Sequence, residues 1–423
     1  MLRSLLAFTS GLRQAWKSES QARCMTSLSK AGIPGPDPLM AKTLSSYYGG
    51  HIVRRMKLAP SIIELNSVMN KFKEELTPTH FAVAGLRLDA LSRSESTGWA
   101  THAYHYQRLA ADLESRAKQD AGRLILSHIG FILRGLNAIQ HRAHPDTLNL
   151  LASRVVADDC QRVHSASHKD VKEAMTGFAG QNYLNPTFWS KLFNVLTPSI
   201  AQYDAGRLIS ILATLPYREL ADSPSCSVSL REFMKASVTT VATCVNNLPP
   251  KLRLDMLIAV SKMPSDTLNT LASEMTLIQD SCMDVLKQRP CPFLPKQVSM
   301  LVTACSRLNS ETLPAAACVL VVAWMKEGTA TQLSSLKLGH AVGIFNAMRQ
   351  ANAGDKEANE IIAKTALTLL QQLEDKGMSV KPSLALSLRQ AFSSGPLCLV
   401  NGASEVRQHL LKISSANYTS VSG

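Results

Sequence analysis

The sequence predicts an all-α fold: an α-solenoid of stacked helical hairpins with repeats of about 40 residues. Apolar residues recur at three- and four-residue steps through most of the chain. Helix-start signals punctuate those stretches, and two short segments are echoed at offsets near whole multiples of the same length.

The periodic stretches are Phe81–Leu91, Leu124–Ile139, Trp189–Val195, Leu208–Leu215, Leu254–Met263, Val298–Leu308 and Ile361–Leu373. Such spacing gathers apolar side chains on one side of a helix. The breaks carry Thr77-Pro78, Asn185-Pro186, Thr197-Pro198, Ser265-Asp266 and Ser310-Glu311. Each supplies a capping side chain or a first-turn proline where a helix leaves amides unpaired. No stretch alternates polar and apolar residues around a hairpin turn, so no strand is predicted. Aromatics make up 5% of the chain and hydrophobic residues 45%. That mix suits small-residue helix packing better than sheets, which lean on aromatic and β-branched side chains.

The repeat length comes from two echoes. Asp146-Thr147-Leu148-Asn149-Leu150-Leu151-Ala152-Ser153 returns as Asp266-Thr267-Leu268-Asn269-Thr270-Leu271-Ala272-Ser273, 120 residues later. Asp120-Ala121-Gly122-Arg123-Leu124-Ile125 returns as Asp204-Ala205-Gly206-Arg207-Leu208-Ile209, 84 residues later. Weaker copies follow from Arg253, Gln297, Leu338 and Ala385. Two helices of about fifteen residues with their turns fill such a unit. A single hairpin cannot bury both apolar faces, so its neighbours must cover it. Gly122 and Gly206 are both expected in the first turn of a helix.

The start of the chain reads as an address. Arg3, Arg13, Lys17, Arg23 and Lys30 face one acid, Glu19, and Leu2, Leu5, Leu6, Leu12 and Trp16 can share one side of a helix. This is the pattern of a mitochondrial transit peptide, with a cut after Met25 that leaves Arg23 as the third residue before it. The expected organisation is a transit peptide at 1–25, a linker and lead-in at 26–58 containing the Pro/Gly-rich stretch 32–38, a repeat array at 59–395, and a C-terminal cap helix with a disordered tail at 396–423. The matrix is the expected location. The most apolar run, Leu313–Met325, falls short of the ~20 residues a membrane crossing needs, so no stable insertion is expected.

Nine scattered cysteines, odd in number and without a CxxC pair, read as reduced and mostly buried thiols. Motifs of enzyme chemistry do not occur: the chain has no GxxxxGK[ST], HExxH, GxSxG or GxGxxG. Cys160, His164 and His168 share one helix face by their spacing, and His102/His105 and His141/His144 form pairs, but a closed zinc site needs four ligands in a supporting geometry. The expectation is therefore no enzyme, no cofactor and no metal site.

The net charge of +13 and pI near 9.4 favour acidic partners. Arg123, Arg207, Arg253, Lys296 and Lys337 fall near the starts of the proposed second helices, where a ladder of cations can track a phosphate backbone. They are the candidate RNA-binding residues. The leader, the repeat length and the Leu-rich second helices together resemble the organellar helical-hairpin repeat proteins. These include octatricopeptide- and heptatricopeptide-like arrays and the helical-repeat subunits of the mitochondrial RNA-editing substrate-binding complex. The resemblance spans about residues 60–395 and rests on pattern. The RAP domain that ends many of those proteins has no counterpart after Val400, which leaves RNA cleavage without support. The resemblance implies RNA binding in organellar RNA processing, stability or translation. The alternative is a structural subunit of a mitochondrial assembly, such as the mitoribosome or a respiratory complex, that binds proteins through the same array.

Overall fold

A computed structural model describes residues 50–94, 102–288, 291–308, 338–350, 356–375, 382–393 and 402–419, with a few single positions between them. All regular structure among the described residues is helical. In chain order the helices are α1 (50–58), α2 (Ile62–Lys71), α3 (Pro78–Ser94), α4 (Ala103–Gln119), α5 (Leu126–Ala138), α6 (Pro145–Val155), α7 (Ala157–His164), α8 (His168–Gly180), α9 (Pro186–Leu196) and α10 (Ala205–Thr214). They continue as α11 (Tyr217–Ala221), α12 (Pro224–Ala242), α13 (Pro250–Val260), α14 (Ser265–Asn269), α15 (Ala272–Lys287), α16 (Pro295–Arg307), α17 (Leu338–Gln350), α18 (Lys356–Asp375), α19 (Pro382–Ser393) and α20 (Ala403–Thr419).

Local chemistry starts several of these helices where the sequence says, although Thr197-Pro198 opens a 3-10 segment, Thr197–Gln202, and not an α-helix. Asn185 accepts the Phe188 amide at 3.1 Å ahead of Pro186, and the His80 ring accepts the Thr77 amide at 2.9 Å beside Pro78. Asp204 accepts the Arg207 amide at 3.2 Å. The two echoed sextets make the same backbone turn: the Arg123 and Leu124 amides donate to the Asp120 carbonyl, as the Arg207 and Leu208 amides donate to that of Asp204. In the second copy the turn runs on into α10. In the first it ends, and Gly122 lies in a turn ahead of α5, contrary to the expectation of a first-turn glycine. The echoed octets open α6 and α14, each with an acid in the first turn and a buried threonine, Thr147 or Thr267.

Packing sorts the longer helices into two series. In one, α3, α5, α8, α10, α13, α16, α17 and α19 each pack on the next. They begin at residues 78, 126, 168, 205, 250, 295, 338 and 382, at intervals of 37 to 48 residues. We call this the second row. In the first row, α2 packs on α4, α4 on α6, α7 on α9, α9 on α12 and α12 on α15, and α18 packs on α20 near the end of the chain. Registers show that neighbours within a row run parallel. Gly130 meets Glu173 and Gly180 meets Asn137 between α5 and α8, while the Ser190–Ser229 hydrogen bond and the Phe193–Phe233 ring contact do the same between α9 and α12. The long-range side-chain hydrogen bonds among the described residues join positions 27 to 49 apart, from His141–Glu114 to Lys262–Ala213.

The core follows from two-sided burial. α5 buries Leu126, Ile129, Ile132, Leu133 and Leu136, and an aromatic cluster of Phe178, Tyr183, Phe188, Trp189 and Phe193 ties α8 to α9. The lead-in contributes more than expected: α1 places Ile52 and Met56 in the same core, so residues before 59 take part in the packing. At the other end α20 buries Ala403, Val406 and Leu410. The leader, the 32–38 stretch, Ser310-Glu311 and residues 420–423 lie outside the described residues.

The tightest contacts are between backbones. A Cβ on Gly130 would sit 2.2 Å from the Glu173 carbonyl, and one on Gly85 or Gly135 2.5 Å from the other helix's carbonyl oxygen. Arg134 bridges the same three helices, 2.7 Å from the buried Asp89 carboxylate of α3 and 3.6 Å from the buried Glu173 of α8. Because α5 cannot withdraw from both α3 and α8 at once, Gly130→Ala should lower unfolding stability by more than about 2 kcal/mol. Gly122→Ala, with open space around it, should change it little; chemical denaturation of both variants measures the contrast.

Candidate nucleic-acid interface

The second row carries most of the basic excess. Counted over their helical residues, its eight helices hold 12 Lys and Arg against 4 Asp and Glu. The first-row helices (α2, α4, α6, α7, α9, α12, α15, α18 and α20) hold 14 against 15. Parallel packing then gathers the helix starts along one edge, where unpaired amides and the helix dipoles add a further positive field.

Four of the five predicted residues are described, and all four fall at that edge. Arg123 precedes α5, 81% exposed, and its one ion pair among the described residues is with Asp120 at 3.9 Å. Arg207 is the third residue of α10 and half-buried. Lys296 is the second residue of α16 and exposed. Arg253, in the first turn of α13, is differently engaged. Its guanidinium donates to the Leu248 carbonyl at 2.8 Å, the Ser281 carbonyl at 3.4 Å and the Asn246 carbonyl. It clamps the turn before α13 onto α15 and has little left to offer a phosphate. Lys337 lies outside the described residues.

Sequence reasoning missed two members of the edge. Lys169 and Lys251 are the second residues of α8 and α13, both exposed, in the position Lys296 holds in α16. The signal was present in Ser167-His168-Lys169, Pro249-Pro250-Lys251 and Leu294-Pro295-Lys296: a lysine two places after the residue that opens the helix. Between the starts of α5 and α8 the edge forms a cleft of about 410 Å³ lined by Arg123, Arg162, Ser167 and Asp170. Arg162 is committed to the Gly122 and Leu124 carbonyls, both at 3.2 Å. Asp170 also faces His128, whose imidazole burial pushes below its ordinary pKa while Asp170 opposes the shift.

The histidines do not converge. His141 holds Glu114 at 2.9 Å, and His168 stacks on Tyr203 with ring centroids 4.0 Å apart. Burial opposes ionisation of Glu114, but bonds from His141, the His144 amide and Thr147 outweigh it and hold the carboxyl below its ordinary pKa. Cys160 is buried, which pushes its thiol pKa up. Among the described residues no group of three or more His, Cys, Asp or Glu is placed to hold a metal, and no helix is long and apolar enough to cross a membrane.

No protein-family model matches the chain, and no curated protein matches it. The charge asymmetry of the two rows and the cation-lined edge are therefore the main guides to function.

The two kinds of cation at the edge differ in what their loss does. Arg253→Ala should cost about 1.5–3 kcal/mol of stability, because three carbonyls, two of them in part-buried bonds, lose a charged donor. Lys251→Ala, two residues earlier, should leave the thermal midpoint within a degree or two of the parent; scanning calorimetry of the two proteins separates the roles.

Proposed function

We propose that this chain is a mitochondrial helical-hairpin solenoid that binds single-stranded RNA along its second row and acts in organellar RNA processing, stability or translation. The observation that carries the reading is the 12-to-4 excess of basic over acidic residues in the second row against 14 to 15 in the first. A chain that is basic for general reasons would spread its excess over both rows. Concentration on one row, with Arg123, Lys169, Lys251 and Lys296 along one edge, matches a polyanion lying across successive units. The parallel rows and the intervals of 37 to 48 residues support the solenoid. The mitochondrial address rests on the basic amphipathic leader.

Aromatic platforms are few, so affinity should come mainly from phosphate contacts and fall steeply with salt. Fluorescence anisotropy of the full chain with a labelled single-stranded RNA, titrated between about 50 and 200 mM salt, tests this. Replacing Lys169, Lys251 and Lys296 with Gln should weaken binding by about tenfold or more and flatten the log–log salt slope by about 2. The same exchange at Lys118, Lys191 and Lys235 of the first row should leave both unchanged. No RNA affinity at low salt would turn the reading toward a protein partner.

A further inference from the structure

At the opposite ends of the second-row helices, two adjoining clefts share Ser261, Lys262 and Arg307. The larger, about 860 Å³, lies between the turn that leads from α10 into α11 and the C-terminal ends of α13 and α16; Tyr217, Arg218, Glu219 and Asp222 form its far wall. The smaller, about 310 Å³, continues along α16 past Ser299 and Thr303. Three consecutive units thus contribute to one trough. From the RNA reading above, on which this inference rests, we propose that the trough is a nucleotide recess: the bound strand crosses the row here, from the starts of the helices to their far ends, and the trough takes one of its nucleotides unstacked, phosphate at Lys262 and Arg307, base toward Glu219 and Asp222.

The chemistry of the walls is divided in a way that suits a nucleotide. Arg307 and Arg218 are exposed and make no ion pair among the described residues, and Lys262 makes only a 3.4 Å bond to the Ala213 carbonyl near the end of α10. A cation at a helix C-terminus offsets the dipole there, which accounts for one such residue at each helix end. Arg218, in the last turn of the five-residue α11, falls under the same account. What the dipole does not account for is the convergence of all three cations on one cavity.

The two acids sit on the far wall with Tyr217 and Arg218, away from α16, and outnumber the one cation there. A uniformly basic cleft would suit any polyanion. Here a phosphate is repelled from the acid end, and what suits that end is a group presenting hydrogen-bond donors. A guanine edge, with its ring N–H and amino group side by side, matches a carboxylate with two acceptor oxygens, whereas uracil offers a single donor. Tyr217 gives this wall rigidity: its ring is buried and its hydroxyl donates to the Leu212 carbonyl. The larger cleft's volume of about 860 Å³ falls within the roughly 300–1,000 Å³ typical of small-ligand sites, and a splayed-out base is how single-stranded RNA is read by sequence.

The test uses the full chain and two labelled single-stranded RNA probes, one of uridines only and one with two guanines at its centre. The parent protein should bind the guanine-containing probe several-fold more tightly. Lys262→Gln with Arg307→Gln should weaken both probes by about fivefold or more and flatten the salt slope by about 1.4, the share of two phosphate contacts. Glu219→Gln with Asp222→Asn should abolish the guanine preference and leave affinity for the uridine probe equal or higher. Thermal melts confirm that the variants fold, and Lys191→Gln with Lys235→Gln controls for net charge. If the parent binds RNA but neither pair of substitutions at the trough changes affinity or preference, the recess is overturned while RNA binding by the second row stands. If the parent binds neither probe, both readings fall together. If free GMP fills the trough while neither probe competes with it, the ligand is a mononucleotide and the RNA assignment is overturned.

Discussion

Backbone contact between α3, α5 and α8 sets the geometry on which the rest of the molecule depends. Where Gly85, Gly130, Gly135 and Gly177 bring these helices together, no side chain separates them, so their spacing is fixed by the main chain itself. Dispersion contacts at that distance are dense, and any outward shift of one helix forfeits them on both sides. The Asp89–Arg134–Glu173 ion pairs cross the same three helices. Asp89 also pairs with Arg93 and Glu173 with Lys172, so Arg134 is not the sole counter-charge of either acid but the one cation of the group that links all three helices. Farther along, Gly343 repeats the device in milder form, against the Ser299 side chain of α16. At these two junctions a glycine fixes how closely the helices approach, and with it the placing of Lys169 at the start of α8 and of Lys296 at the start of α16.

Much of the helix inventory was legible in the sequence, because it is written in local chemistry. Pro78 and Pro186 open helices where a fixed φ and a missing amide cost nothing. The Asp120 and Asp204 segments make the same turn because the same short-range bonds are available to both. Gly122 shows the limit: identical residues turn identically, but only the neighbouring residues and the helices packed against them decide whether the turn becomes a helix. Residues 50–58 were missed as part of the core for a related reason. Their apolar positions are few, and Ile52 and Met56 are buried by helices distant in sequence.

The candidate interface was legible only in part. Placing Arg123, Arg207, Arg253 and Lys296 at the starts of second-row helices needed only the repeat. Knowing that Arg253 is engaged required seeing three carbonyls around it, two of them in the preceding turn and one in α15. Charge asymmetry between the rows was hidden for a simpler reason. Row membership is a property of tertiary packing, and until each helix is assigned, the basic excess is one number for the whole chain. Once assigned, the first row is nearly neutral and the second strongly basic, and the field of the molecule acquires a direction.

The central claim is that RNA lies on the second row, and protection of individual lysines measures this directly. The full chain would be acylated lightly with and without saturating single-stranded RNA at low salt, and each lysine's labelling read by mass spectrometry. Lys169, Lys251 and Lys296 should lose most of their labelling in the complex, while the equally exposed Lys191, Lys235 and Lys364 of the first row keep theirs. Equal protection of both sets, or protection confined to the first row, would contradict the claim.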